Sequence, residues 1–229
     1  MSEIFSNRSA RKSRFGSVSR RMKAFQQEER GSITIESLII LPLLFSALMA
    51  LFTYYDAYRK QSLSLRANYA ISDFLSRVYK YDNTTVTGLD NLFSYLSKTS
   101  EKSWIRITVV KCDVVDTQCN NPLDRKLKYM STDSAASPGE GSAKYTDEAQ
   151  MINALGAKIP NMYEGEYLFV LETSASYRPI FPGSWTGIYS TDFKQSVVTK
   201  SREFQFLCFE GEGKTCVDPN VTFAGSTSG

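Results

Sequence analysis

Hydrophobic positions along this chain form three patterns, and the first is an uninterrupted run. From Ser32 to Tyr55 there are 24 residues, and Glu36 is the only charged side chain among them. A helix of that length rises roughly 36 Å, more than the ~30 Å hydrocarbon core of a bilayer. Soluble core helices are seldom apolar on every face for so long. The run therefore predicts one transmembrane helix over 32–55. Tyr54 and Tyr55 fall where an aromatic belt would lie, and Asp56, Arg59 and Lys60 mark the return to water.

The second pattern is helical. Leu63, Ala67, Ala70, Ile71, Phe74, Leu75 and Val78 recur at spacings of three and four, with Arg66, Asp73 and Arg77 on other faces. It extends the first helix through 56–80, to about Tyr79, where the polar Tyr81–Thr85 stretch suits a turn. A short amphipathic helix carrying Leu89, Leu92, Phe93 and Leu96 follows, with Asp90 as its candidate N-cap. Another is expected over Asp147–Lys158, using Met151, Ile152 and Leu155.

The third pattern is strand-like. Ile105, Ile107 and Val109 alternate with Arg106, Thr108 and Val110 along Trp104–Cys112. Tyr167–Tyr177 is the strongest strand, stopped by Pro179 and Pro182-Gly183. A last strand is expected from about Ser196 to Phe209, with Phe204, Phe206 and Cys208 on one face. Residues 131–146 show no core pattern and read as a mobile loop. Helices before and between strands that pair antiparallel make the 81–229 region α+β. The expected fold is thus a long transmembrane helix continuing into a small domain with a mostly antiparallel sheet.

Charge fixes the expected orientation. Residues 1–31 hold eight Lys/Arg (Arg8, Arg11, Lys12, Arg14, Arg20, Arg21, Lys23, Arg30) against Glu3, Glu28 and Glu29. That segment is +5, so the chain total of +3 leaves −2 beyond Gly31. The basicity belongs to a polar leader without sustained apolar period, and it does not point to nucleic acid. Lys and Arg crowding one end of a lone span keep that end cytoplasmic and send the remainder outside. The run is too long for a secretory h-region and lacks an A-x-A end, so a retained anchor is expected.

All four cysteines (Cys112, Cys119, Cys208, Cys216) lie beyond the span, on the side where disulfides persist. Three connectivities are open to them. The local pairs Cys112–Cys119 and Cys208–Cys216 are favoured because each closes a short turn-bearing loop.

The chain has no histidine, the commonest general base and metal ligand. The C-x6-C and C-x7-C spacings are not those of zinc or thioredoxin-type sites. Neither a phosphate-binding G-x-x-x-x-G-K-[ST] loop nor a G-x-S-x-G elbow occurs. Glu164 and Glu166 read as surface acids. No enzyme, metal or cofactor is expected.

What remains is a constellation at the cytoplasmic edge of the span: basic leader, Gly31, and Glu36 five residues later. It resembles the G-x-x-x-x-E processing motif of type IV prepilins. The run Glu36-Ser-Leu-Ile-Ile-Leu-Pro42 is similar to the start of TadE-like pseudopilins, minor pilins of the tight-adherence (Flp) pilus system. Tyr177-Arg-Pro179-Ile-Phe-Pro182 also resembles a Y-x-P-x-F-P stretch of that family. The resemblance covers some sixty residues; the rest of the domain matches nothing we can name.

The resemblance implies a pilin-like fold and cleavage between Gly31 and Ser32 by a prepilin peptidase. It implies that Glu36 pairs with a freed N-terminal amine and sets the register between packed subunits. The partners would be that peptidase, other pilin or pseudopilin subunits, inner-membrane pilus machinery and membrane lipid. The location would be the inner membrane, N-terminus cytoplasmic and domain periplasmic, or the pilus itself. Pro42 either bends the helix by freeing the Leu38 carbonyl or is simply tolerated there. A second reading stands beside this one: an uncleaved single-pass scaffold or receptor with an exported binding domain. Cleavage at Gly31 separates the two.

Overall fold

The computed structural model describes residues 29–99, 102–113, 126–139, 141–211 and 213–217. The chain divides into two units, Met1–Leu51 and Phe52–Gly229. One helix, α1 (Glu29–Ser76), spans the boundary with Pro42 inside it. The order then runs β1 (Lys80–Asp82), α2 (Asn83–Ser97), β2 (Ser103–Cys112), β3 (Leu127–Tyr129), β4 (Ala135–Ala136) and α3 (Glu148–Leu155). It ends with β5 (Tyr167–Tyr177), α4 (Gly183–Thr186), β6 (Thr191–Thr199) and β7 (Cys208–Glu210).

The main sheet has the order β3-β2-β5-β6, with β4 also on β2, and every pairing in it is antiparallel. The long β2–β5 register sets Ile105 opposite Thr173, Ile107 opposite Leu171 and Val109 opposite Phe169. Because strand side chains alternate faces, this aligns the apolar sets of both strands on one side. That side is covered by Ala67, Ile71 and Leu75 of α1 and by Val86, Leu89 and Phe93 of α2, all buried. A fully buried side chain of this size contributes about 1.5–3 kcal/mol. The opposite face carries Val110, Leu168 and Val170 under Met151 and Leu155 of α3, with Ile159 and Met162. The fold is therefore α+β with a long apolar N-terminal helix and a mostly antiparallel sheet.

Not all of the α1 contact surface is apolar. Ser64, Asn68, Ser72 and Ser76 are buried along it. Ser72 and Thr199 share a short hydroxyl contact, whereas both amide atoms of Asn68 and the hydroxyls of Ser64 and Thr173 find no partner among the described residues. Ala70 and Phe74, expected at the contact, are exposed. The helix is rotated so that small polar residues meet the sheet.

Four expectations need correction. The Tyr81–Thr85 turn is instead the end of β1 followed by the first turn of α2. There Asp82 caps α2 by accepting from the Thr85 N–H at 2.8 Å and the Thr85 hydroxyl at 2.6 Å. Asp90, expected to cap, lies inside α2 and accepts from the Ser103 hydroxyl at 3.0 Å. Capping at Asp82 starts the helix eight residues earlier and brings Val86 into the core.

The Ser196–Phe209 strand is two strands. β6 ends at Thr199, and β7 pairs in parallel with β1, Tyr81 opposite Phe209. The irregular stretch between them is tied to the end of α1, the Arg202 N–H donating to the Ser76 carbonyl at 2.8 Å.

Residues 131–146, expected to be mobile, hold a 3-10 turn at Ser131–Asp133, then β4, and bury Asp133, Ser134, Ser137, Ser142 and Tyr145. Their serines substitute for strand ladder partners. The Ile105 N–H donates to Ser137 Oγ at 3.0 Å and the Val109 N–H to Ser134 Oγ at 2.9 Å. The buried Asp133 carboxylate receives the Phe209 N–H and the Lys214 ammonium, while its carbonyl accepts from the Tyr81 hydroxyl at 2.6 Å. The described part of this segment therefore packs as a wedge between β2 and β7.

Candidate functional site: the exposed apolar helix

The functional candidates gather on α1, where no core pattern explains the sequence. Its most apolar eighteen-residue window has a mean hydropathy of 2.3, and no residue of that window is buried. Ile33, Ile35, Leu38, Ile39, Leu41, Leu43, Leu44 and Phe45 point outward all round the helix. An apolar surface of this kind is stable only against lipid or other apolar helices. By length and composition the helix is able to cross a membrane.

Gly31 and Ser32 occupy the first turn of α1 in the backbone. The N–H groups of a first turn lack helical partners, and Gly is about 1 kcal/mol worse than Ala in a helix, so this turn is the easiest to unwind. Glu36 is exposed and pairs with no described residue. Ser32, Ile33, Ile39 and Ile40 share its face by the three- and four-residue rule. The helix brings Ser32 within about 6 Å of Glu36 along the axis. Pro42 lies inside the continuous helix, and close by, the Ser46 hydroxyl donates to the Leu43 carbonyl at 2.8 Å.

The cysteines form no part of this site. Cys208 and Cys216 are bonded to each other, closing the loop that carries Lys214 onto Asp133. Cys112 is disulfide-bonded as well, and Cys119, its expected partner, lies outside the described residues. Glu166 accepts from the Lys200 ammonium at 2.7 Å and the Tyr163 N–H at 2.8 Å, closing the turn before β5. Glu164 is not drawn into that arrangement.

Sequence reasoning missed a feature at the opposite end of the apolar run. Phe52 contacts Phe181 edge to face, with ring centroids 6.2 Å apart. The Tyr177 hydroxyl donates to the Thr53 carbonyl at 3.3 Å. The loop after β5 is thereby tied to the last turns of the predicted span. Tyr54, Tyr55 and Tyr58 stand exposed on the same turns. The signal for this tie was present in Tyr177-Arg-Pro-Ile-Phe181, where aromatic residues sit inside a proline-rich turn.

Burial, followed by the neighbouring Asp56, pushes the Tyr177 phenol up to about 12. Burial also raises Tyr81 and Tyr145, helped by Asp133 and Glu172 respectively. Below about pH 10 folded and unfolded chains both keep these protons. Between about pH 10 and about 12 the unfolded chain has released its proton at Tyr177 while the folded chain keeps it, so stability falls as pH rises. Urea unfolding of the detergent-solubilised protein should show this loss above about pH 10, at up to ~1.4 kcal/mol per pH unit for each such phenol. Tyr177→Phe should flatten the slope. An unchanged slope would mean that Tyr177 titrates as an exposed phenol.

No protein-family model, curated protein or solved structure matches this chain. The reading of the site therefore rests on its residues.

Proposed function

We propose that this chain is a membrane-anchored minor pilin, or pseudopilin, that takes part in assembling a tight-adherence pilus after cleavage between Gly31 and Ser32. The observation that carries the reading is Glu36, the only charged residue in the exposed apolar run Ser32–Tyr55 of α1. An ionisable group in such a helix is costly and calls for a partner. Cleavage after Gly31 would create one, the Ser32 amine, on the same helix face and one turn away. Packed against helices of neighbouring subunits, the pair would offset desolvation and fix axial register. The role is one of packing between subunits, with the 81–229 region as the exported, pilin-like part.

One observation favours the second reading, an uncleaved single-pass scaffold. Gly31 lies inside α1, so a peptidase must first unwind the turn that holds it.

Intact-mass measurement on protein from its native membrane decides between the two. The pilin reading expects a chain lacking residues 1–31 and beginning at Ser32. A full-length chain, in cells whose prepilin peptidase is active on other substrates, would establish the scaffold instead.

A further inference from the structure

The loop between β5 and β6 exposes apolar side chains where a soluble surface would carry polar ones. Ile180, Trp185 and Tyr189 are each about two-thirds exposed (66%, 68% and 68%). The loop is nonetheless built rather than loose. A Cβ on Gly183 would lie 2.6 Å from the Tyr189 ring, so glycine is what lets that ring lie against the chain. Gly187 adopts φ +75°, the left-handed conformation that closes α4. The Gly187 N–H donates to the Gly183 carbonyl at 2.8 Å. At the start of the loop, Tyr177 stacks on Phe193 with centroids 5.5 Å apart.

Its position gives the exposed residues a meaning. Phe181 rests on Phe52 and Tyr177 bonds to Thr53, so the loop stands beside the turn where the predicted span ends. A hydrocarbon core of about 30 Å is used up by about twenty helical residues, which places the boundary near Phe52–Tyr55. Trp and Tyr are the side chains that favour the headgroup boundary, with an apolar body and a polar tip. Lys60, Lys98 and Arg178 line a cleft beside the loop, with the Lys60 ammonium donating to the Lys98 carbonyl at 2.6 Å. Cations at that level suit the phosphates of lipid headgroups.

The geometry points to a second membrane contact: the 178–190 loop inserts Ile180, Trp185 and Tyr189 into the bilayer interface beside the span. The single helix alone leaves the domain free to swivel; a second contact fixes which face it turns to the membrane. The inference rests on α1 crossing a bilayer, and it is independent of cleavage and of the pilus.

The chain has two tryptophans, Trp104 and Trp185. Trp104→Phe leaves Trp185 as the sole reporter; should that variant misfold, the difference between the unaltered chain and Trp185→Phe gives the same signal. The full chain is reconstituted into phosphatidylcholine–phosphatidylglycerol vesicles containing lipids brominated near the headgroup or near the acyl terminus. Trp185 should emit at shorter wavelength than in denaturant and lose more than half its emission to the shallow bromines, with less lost to the deep ones. A control with Phe45→Trp, both natural tryptophans replaced, reports on the span. Quenching of that control without quenching of Trp185 overturns the loop contact and leaves the span standing. No quenching of either overturns both. A blue shift at Trp185 that depends on protein density but not on bromine would mean that a second copy covers the loop, and it too overturns the proposal.

Discussion

On the proposed pilin reading, Gly31→Leu should leave the chain unprocessed and abolish pilus assembly, whereas Glu36→Ala should permit processing and still impair assembly. The two outcomes follow from different physics. A peptidase has to bring its catalytic acids against an unwound backbone at Gly31, and glycine both weakens the helix turn and leaves room for that approach. A leucine there restores helix propensity and fills the space. The uncut chain keeps eight Lys/Arg ahead of the span. Dragging such charges through hydrocarbon costs about 2.5–3.5 kcal/mol each by insertion scales, so the helix stays where it is. Glu36→Ala leaves the cut site alone and removes only the partner of the Ser32 amine. That amine is then unpaired wherever the helix is packed among others, and register is lost. N-terminal sequencing together with pilus counts by electron microscopy reads both steps. Normal processing of the Gly31→Leu chain, or normal pili with Glu36→Ala, would remove the basis of the pilin reading.

The largest expected effect on stability lies elsewhere, in the α+β domain. Arg106 and Glu172 face each other across β2 and β5 at 2.8 Å, with side chains only 14% and 11% exposed. The guanidinium also donates to the Ala143 carbonyl at 2.9 Å and to the Tyr145 hydroxyl at 3.0 Å, and it stacks on the Tyr145 ring at 4.2 Å. Tyr145 in turn donates to Glu172 at 2.9 Å. This network straps the 131–146 segment across the sheet. Arg106→Leu strands the Glu172 carboxylate in a nearly dry site, and removing one partner of such a pair costs about 3–5 kcal/mol. For a domain of this size that is a fall in Tm of roughly 10 °C. Arg106→Leu combined with Glu172→Leu should recover much of it, because two apolar groups leave no orphaned charge. Calorimetry of the three variants tests this. A single variant within 1 °C of the parent would show that the pair is solvated and that the strap is held by packing alone.

The sequence by itself determined the elements whose signal is local. The Ser32–Tyr55 run stands out as a helix long and apolar enough to cross a membrane, and Glu36 stands out as the one charge within it. β2 and β5 were legible because their apolar residues repeat over ten or eleven positions. The α3 helix was legible from Met151 and Leu155 with Asp147 ahead of them; its cap accepts from the Gln150 N–H at 2.7 Å.

What tertiary structure decided is non-local. β1 and β7 have three residues each and no period to detect, and they become strands only because folding sets Tyr81 beside Phe209. Ser134 and Ser137 look like loop residues until the edge of β2 presents N–H groups for them to accept. Asp82 prevails over Asp90 as a cap because β1 delivers it in extended conformation at the helix start, φ −131° and ψ 179°. The loop after β5 carries only a turn signal in sequence, and its place beside Phe52 and Thr53 depends on how the sheet lies along α1. Local propensity is written in spacing; the pairing of distant, short and polar segments is settled by which of them can satisfy each other once the core has closed.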